Sequence, residues 1–188
     1  MVNRNREYSR RGLLGAFAAT SIMAAPTFPS AAGFIRNAGD IRRIKMYSTR
    51  TGEKLDIIYW IEGFYITDAL SEVNYFMRDW RQNKEKPIDT RTVDIIAASM
   101  RLLETETPFQ MLSGYRTSST NKLLRSRSRN VAKKSLHMVG QAVDLRMQGR
   151  SVRQIARAAA SCSAGGVGRY SRSNFVHVDC GIKRIWGS

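Results

Sequence analysis

Two short stretches in the second half of the chain alternate apolar with polar side chains and carry ionisable residues at polar positions. Residues 142–147 read Ala-Val-Asp-Leu-Arg-Met, and residues 175–179 read Phe-Val-His-Val-Asp. Because successive side chains of a β-strand point to opposite faces, Asp144 projects from one face of the first stretch, and His177 and Asp179 project together from one face of the second. The pattern predicts a sheet with an apolar face turned to a core and a polar face on which Asp144 is presented.

The remaining periodicities predict further strands and helices around this sheet. The predicted strands cover residues 41–47, 55–61 and 109–112, and the predicted helices cover residues 68–80, 89–103 and 152–162. Thr51-Gly52 favours a hairpin turn, Thr67 is a possible helix cap, and the polar residues 117–134 are expected to form a long surface loop or a mobile lid edge. This order predicts the α+β class, with a small antiparallel sheet and flanking helices.

The first residues have the pattern of an export signal. Residues 1–11 are polar and basic, residues 12–25 are apolar and small, and Ser30-Ala31-Ala32 offers small residues for cleavage. Ser9-Arg10-Arg11-Gly12-Leu13-Leu14 resembles a twin-arginine motif, and an ordinary secretory signal that contains two arginines is the alternative. The apolar run is shorter than the roughly 20 residues of a bilayer span, so a permanent transmembrane helix is disfavoured.

The chain is therefore expected to have three segments. These are a signal peptide of the twin-arginine type over residues 1–32, a flexible lead-in over residues 33–40, and one folded domain over residues 41–188. We expect the mature protein in the periplasm. If the signal were not cleaved, its apolar stretch would tether the protein to the inner membrane.

The formal net charge of +16 predicts an acidic partner. Nucleic acid is the usual partner of so basic a chain, but an export signal favours the anionic cell wall, and we expect no nucleic-acid partner. A basic surface that only aids solubility and general adhesion is the alternative.

Two cysteines, Cys162 and Cys180, could form a disulfide in an oxidising compartment. Neither belongs to a C-x-x-C pair, so a cysteine-rich zinc site is not expected.

The chain has two histidines, and both lie close to carboxylates in the sequence. His137 precedes a turn at Gly140 and can fold back beside Asp144, and His177 lies on the predicted strand with Asp179. Two imidazoles and a carboxylate match the ligands of a hydrolytic zinc site, which keeps one position open for water. Structural histidines hydrogen-bonded to carboxylates, or an acid–base pair without metal, fit the same spacing.

Four ordered blocks resemble the zinc peptidases of the D-alanyl-D-alanine carboxypeptidase group, to which lysostaphin-type enzymes and the hedgehog signalling domain are related in fold. The blocks are Ser113-Gly114-Tyr115-Arg116, residues 135–144, Gly165-Gly166-Val167-Gly168-x-Tyr170, and Phe175-Val176-His177-Val178-Asp179-x-Gly181. Together they span most of residues 109–186. The resemblance implies that residues 41–188 form a zinc peptidase domain.

The resemblance also implies roles for single residues. His137, Asp144 and His177 would be the zinc ligands, and Arg116 would bind substrate and stabilise the oxyanion. Many relatives have a carboxylate as general base three residues before the last zinc histidine, but this chain has Asn174 there. Asp179 is then the expected base, and orienting the imidazole of His177 is its alternative role.

The predicted function is a zinc-dependent endopeptidase that hydrolyses peptide cross-links of peptidoglycan. Relatives imply cleavage between two diaminopimelate residues or between D-alanine and diaminopimelate, and the basic residues 122–134 would hold the acidic stem peptides. A non-catalytic peptidoglycan-binding module of the same fold is the alternative, which Asn174 favours and the retained histidines disfavour. A basic nucleic-acid binder is a third hypothesis, which the export signal disfavours.

Overall fold

A computed structural model of the chain describes residues 23–24 and 40–187. Apart from Met23, Ala24 and Asp40, the predicted signal peptide and lead-in lie outside these residues. The described strands are β1 (Met23–Ala24), β2 (Ile41–Ser48), β3 (Lys54–Ile61), β4 (Phe64–Tyr65), β5 (Phe109–Ser113), β6 (Ala142–Met147), β7 (Gly166–Tyr170), β8 (Phe175–Asp179) and β9 (Arg184–Gly187). The helices are α1 (Thr67–Phe76), α2 (Thr90–Leu102), α3 (Ser118–Arg127) and α4 (Val152–Ser161), with a 3₁₀ helix at Leu136–Val139.

The described strands form one nine-stranded sheet in the order β1-β4-β3-β2-β5-β6-β8-β7-β9. Two of its pairs, β2 with β5 and β7 with β9, are parallel, and the others are antiparallel. The predicted α+β class is confirmed. The prediction of a small antiparallel sheet is wrong, because the sheet is large and mixed, and each of its two parallel pairs joins strands that are not consecutive in the sequence.

One face of the sheet carries the apolar core, against which α2 and α4 pack. Val143 and Leu145 of β6 and Val176 and Val178 of β8 are almost completely buried there. The alternation predicted for both strands is confirmed. In each strand, alternate side chains face the apolar core, and the side chains between them face the opposite, polar side of the sheet. Asp144 is also buried, because polar groups close over it on the opposite face.

Two helices differ from the sequence prediction. α1 begins at Thr67 and ends at Phe76, so Thr67 lies inside the helix, and its N-cap is Ile66 without a side-chain hydrogen bond. Much of the stretch predicted as a loop is α3. Thr117 caps that helix by accepting a hydrogen bond from the backbone N–H of Thr120.

Both cysteines are free and buried, so the possible disulfide is not formed. The Cys162 thiol lies 3.7 Å from the Ser99 hydroxyl, and Cys180 lies beside Thr92. Ser99 and Thr92 are two turns apart on α2, which is roughly 10 Å along a helix, whereas a disulfide needs Cα atoms within about 7 Å. The two thiols therefore pack against different turns of α2 and do not lie next to each other.

Within residues 40–187, none of the helices is both long enough and apolar enough to span a membrane.

Candidate metal centre

One row of residues crosses the polar face of the sheet from β5 to β9. Asp144 lies opposite Ser113 on one side and opposite His177 on the other. Gly168 follows His177 in the row, and Trp186 follows Gly168. Directly opposed residues of neighbouring strands lie about 5 Å apart, so strand pairing alone brings the Asp144 carboxylate beside the His177 imidazole.

His137 completes a cluster of three donor groups on this face. Its Nε2 lies 3.2 Å from Oδ1 of Asp144 and 3.2 Å from Nδ1 of His177, and the last two atoms are 2.9 Å apart. Ligand atoms of the three residues all lie within 4.8 Å of one another. Two imidazole nitrogens and one carboxylate oxygen form a donor set that can hold a metal ion and leave a position open.

A backbone carbonyl fixes the orientation of the His137 ring. The 3₁₀ helix ends at Gly140, whose φ of 73° turns the chain back toward β6. Nδ1 of His137 lies 2.7 Å from the Gly114 carbonyl oxygen, to which it donates a hydrogen bond. With the proton on Nδ1, the lone pair of Nε2 is directed at the cluster.

Gly114 has no room for a side chain. A Cβ at this position would overlap the Met77 carbonyl, which accepts a hydrogen bond of 2.8 Å from Tyr115 N–H. Because Gly114 has no side chain, its backbone can pack directly against Met77, the residue that follows α1. This packing sets the position from which the Gly114 carbonyl contacts His137.

Arg116 lies against the carboxylate of the cluster. Its Nη2 donates to Oδ2 of Asp144, and its Nε donates to the Ser113 hydroxyl at 2.7 Å. Its backbone N–H donates to the His137 carbonyl at 3.1 Å. Within residues 40–187, Nη1 of Arg116 has no hydrogen-bond partner, so this nitrogen can serve a ligand.

Asp179 lies on the other side of His177. Its Oδ2 accepts a hydrogen bond from His177 Nε2 at 3.0 Å, whereas the nitrogen that faces Asp144 and His137 is Nδ1. The backbone N–H groups of Gly166 and Gly181 donate to Asp179, and Arg184 forms an ion pair with it. This carboxylate is fully buried and lies away from the three donor atoms.

The local charges support one proton arrangement in the absence of metal. Burial opposes a charged His177, but hydrogen bonds to Asp144 and Asp179 raise its pKa to about 9. Burial lowers the pKa of His137 and outweighs the attraction of Asp144. Although burial disfavours a charged carboxylate, the hydrogen bond from His177 and the positive charge of Arg116 hold the pKa of Asp144 well below its usual range. A charged His177 therefore donates to Asp144, and a neutral His137 keeps a free lone pair.

Comparison with known proteins places this geometry in a family. Residues 36–186 match the family described as peptidoglycan L,D-endopeptidase MepK. The chain belongs to the MepK family. The resemblance found in the sequence to zinc D-alanyl-D-alanine carboxypeptidase-like peptidases, and specifically to murein endopeptidase K, is confirmed.

Relatives in the MepK family cover most of the chain. Peptidoglycan L,D-endopeptidase MepK of Escherichia coli K12 is 45% identical over 145 residues, which cover 77% of this chain and 80% of the relative. The probable peptidoglycan L,D-endopeptidase MepK of Haemophilus influenzae is 34% identical over 148 residues, which cover 77% of this chain and 78% of the relative. Among solved structures, the L-Ala D-Glu endopeptidase ChiX of Serratia marcescens matches at a TM-score of 0.35 and 20% identity over 50% of this chain and 68% of that chain.

In this MepK-family chain, Asn174 cannot replace a carboxylate base. It is exposed in the turn before β8 and has a φ of 52°. An amide does not accept a proton from water near neutral pH.

The sequence analysis did not predict that aromatic side chains line one side of the candidate metal centre of this MepK-family chain. The Trp186 ring lies 5.4 Å from the His177 ring, and its Nε1 donates to the Tyr170 hydroxyl at 3.0 Å. A Cβ on Gly168 would lie 2.5 Å from the indole. Gly166 and Gly168 of this strand leave room for Asp179 and Trp186, respectively. The spacing of Gly166 and Gly168, two residues apart in a short strand, is the sequence signal that another group approaches the backbone closely there.

Proposed function

We propose that this chain is an exported, zinc-dependent endopeptidase that hydrolyses peptide cross-links of peptidoglycan in the periplasm. The convergence of His137, Asp144 and His177 within 4.8 Å carries the proposal. Membership of the MepK family supports the reaction class, and the activity for which the relatives are named supports an L,D bond as the target. The basic pattern of residues 1–11 and the apolar run that follows support export by the twin-arginine route.

Nε2 of His137, a carboxylate oxygen of Asp144 and Nδ1 of His177 would hold the zinc ion. A bound zinc ion supplies a Lewis acid that polarises the amide carbonyl and lowers the pKa of water to about 7. The hydrogen bond from His137 Nδ1 to Gly114 keeps the first ligand in the required tautomer.

Arg116 would stabilise the charge that develops on the carbonyl oxygen. Its Nε and Nη2 are held by Ser113 and Asp144, so the guanidinium is oriented before substrate binds. A fixed cation beside the reacting carbonyl stabilises the transition state more than the ground state. We assign the remaining Nη1 to this contact.

Asp179 would orient His177 rather than act as the general base. Its hydrogen bond to Nε2 keeps the Nδ1 lone pair directed at the metal, and the imidazole ring separates Asp179 from the reacting centre. The sequence analysis expected Asp179 to be the general base and gave the orienting role as the alternative. The geometry supports the orienting role.

Digestion of purified peptidoglycan by the mature protein tests the proposal. Released fragments are separated by chromatography and weighed by mass spectrometry, with and without a chelator. Wild-type protein and the control Ser173→Ala, an exposed site in the turn before β8, should release fragments whose cross-link has been cut, and the masses identify the bond. His177→Ala and chelated protein should release none.

A non-catalytic wall-binding module is the second candidate, because Asn174 stands where many relatives have a base. It predicts that zinc-loaded protein sediments with peptidoglycan and releases nothing. That result would overturn the enzymatic proposal.

A further inference from the structure

The side chain of Arg81 is a cation held in place by an aromatic ring. Its guanidinium carbon lies 4.2 Å from the centre of the Trp80 ring, and both residues are half-buried. Among residues 40–187, no carboxylate forms an ion pair with Arg81. Stacking on an indole holds a guanidinium in place and leaves its N–H groups free at the edge.

A buried carboxylate ties Arg81 to the segment that carries Arg116. Oδ1 of Asp79 accepts from the backbone N–H of Arg81 at 3.1 Å, and Oδ2 accepts from the backbone N–H and the hydroxyl of Thr117 at 2.8 Å each. Asp79 is only 1% exposed. Both of its oxygens are therefore used to hold the backbone, and Arg81 is fixed near the residue after Arg116.

Arg81 interacts with three other arginines as well as with Asp79. Burial lowers the pKa of Arg81, attraction to Asp79 opposes that, and repulsion from Arg50, Arg116 and Arg127 lowers it further. Arg50 and Arg127 are exposed, and neither forms an ion pair within the part of the chain that the structure describes. Like charges held together favour an anionic ligand that relieves their repulsion.

We propose that Arg81 forms a carboxylate-binding subsite beside the candidate metal centre, with Arg50 and Arg127 at its rim. The ligand is a free carboxylate of a peptidoglycan stem peptide, and this choice rests on the proposed function. Arg116 contacts Asp144 of the metal centre, so a peptide that reaches from Arg81 past Arg116 also reaches the bond to be cut. The planar fork of a guanidinium matches the two oxygens of a carboxylate.

Calorimetric titration with an uncross-linked stem tetrapeptide tests the subsite without turnover. The peptide is used with free carboxyls and with its carboxyls amidated, on zinc-loaded protein. The variants are Arg81→Gln, Arg81→Lys and the control Arg153→Gln, an exposed arginine on α4. Thermal melting confirms that each is folded.

We expect Arg81→Gln to weaken binding of the free acid roughly tenfold, the size of a partly screened charged hydrogen bond, and to leave the amidated peptide unchanged. Arg81→Lys should keep part of the affinity, and Arg153→Gln all of it. Equal effects on both peptides, or none, would overturn the subsite. Tighter binding of a single-stranded oligonucleotide, lost in the same variant, would assign the arginines to a phosphate polymer and also overturn it.

Cleavage of cross-linked dimers, followed separately, distinguishes this inference from the proposed function. Discrimination between the two tetrapeptides without any cleavage would leave the subsite standing and remove the endopeptidase. Cleavage of the dimers without discrimination between the two tetrapeptides would support the endopeptidase and overturn the subsite.

Discussion

Nε2 of His177 and Oδ2 of Asp179 lie 3.0 Å apart on the side of the imidazole that faces away from Asp144. This relationship separates the two roles that the sequence left open for Asp179. A general base must reach the proton that it abstracts, whereas an orienting group acts through the ligand that it holds.

Asp179→Ala should weaken zinc binding roughly 10- to 100-fold, because His177 loses the partner that fixes its ring. Competition with a fluorescent chelator measures the affinity, and Asp68→Ala, an exposed carboxylate on α1, is the control. Excess zinc should restore part of the peptidoglycan cleavage. Normal zinc affinity combined with complete loss of cleavage would instead identify Asp179 as the base.

Gly168→Ala should destabilise the protein by about 1–3 kcal/mol, because its Cβ would lie 2.5 Å from the Trp186 indole. Denaturant unfolding followed by fluorescence measures the change. In a Trp186→Ala background the same substitution should cost much less, since the overlapping ring is gone. Additive effects of the two substitutions would mean that the indole does not lie across Gly168.

Zinc binding near neutral pH should release roughly one proton per ion, because the pKa of His177 in the metal-free protein is raised to about 9 and the ion replaces its Nδ1 proton. Below that pKa, protons compete with zinc, so zinc affinity should fall as pH falls. The lowered pKa of His137 keeps that residue out of the competition near neutrality. Calorimetry in buffers of different ionisation enthalpy counts the protons, and an affinity that rises as pH falls would contradict the assignment.

Both thiols should be free in protein purified without reductant. Burial raises the pKa of Cys162 and of Cys180 to about 11, so the thiolate fraction should be roughly a hundredfold below that of an exposed cysteine. A colorimetric thiol reagent should react slowly with folded protein and count two thiols after unfolding. Finding no thiol in the unfolded, unreduced protein would show a disulfide.

The strands that carry Asp144 and His177 could be predicted from the sequence because each buries alternate side chains against the core. β7 and β9 could not, since Gly166 and Gly168 have no side chains with which to show a pattern, and Arg184 and Ile185 are exposed. The sequence also contains no local signal for the parallel pairing of β2 with β5, because that pairing depends on packing between distant segments.

The prediction of a loop where α3 forms failed for a physical reason. This helix buries only Thr120 and Asn121, so it lacks the apolar stripe by which a helix is recognised in sequence. The rarity of histidine singles out His137 and His177 in the sequence, and the resemblance of four blocks to a zinc peptidase group implies the three proposed metal ligands. The position of Arg81 relative to them depends on hydrogen bonds between distant segments, which no spacing reveals.

Asp144 and His177 face each other only because β6 and β8 pair in one register. A slip of a single residue would turn one of the two side chains to the apolar face. Zinc content per molecule would then report the fraction of chains whose strands are correctly aligned. In refolded samples, the metal content would therefore reveal chains with a shifted strand register. Spectroscopic signals of secondary structure would not, because a shifted register leaves the strand content unchanged.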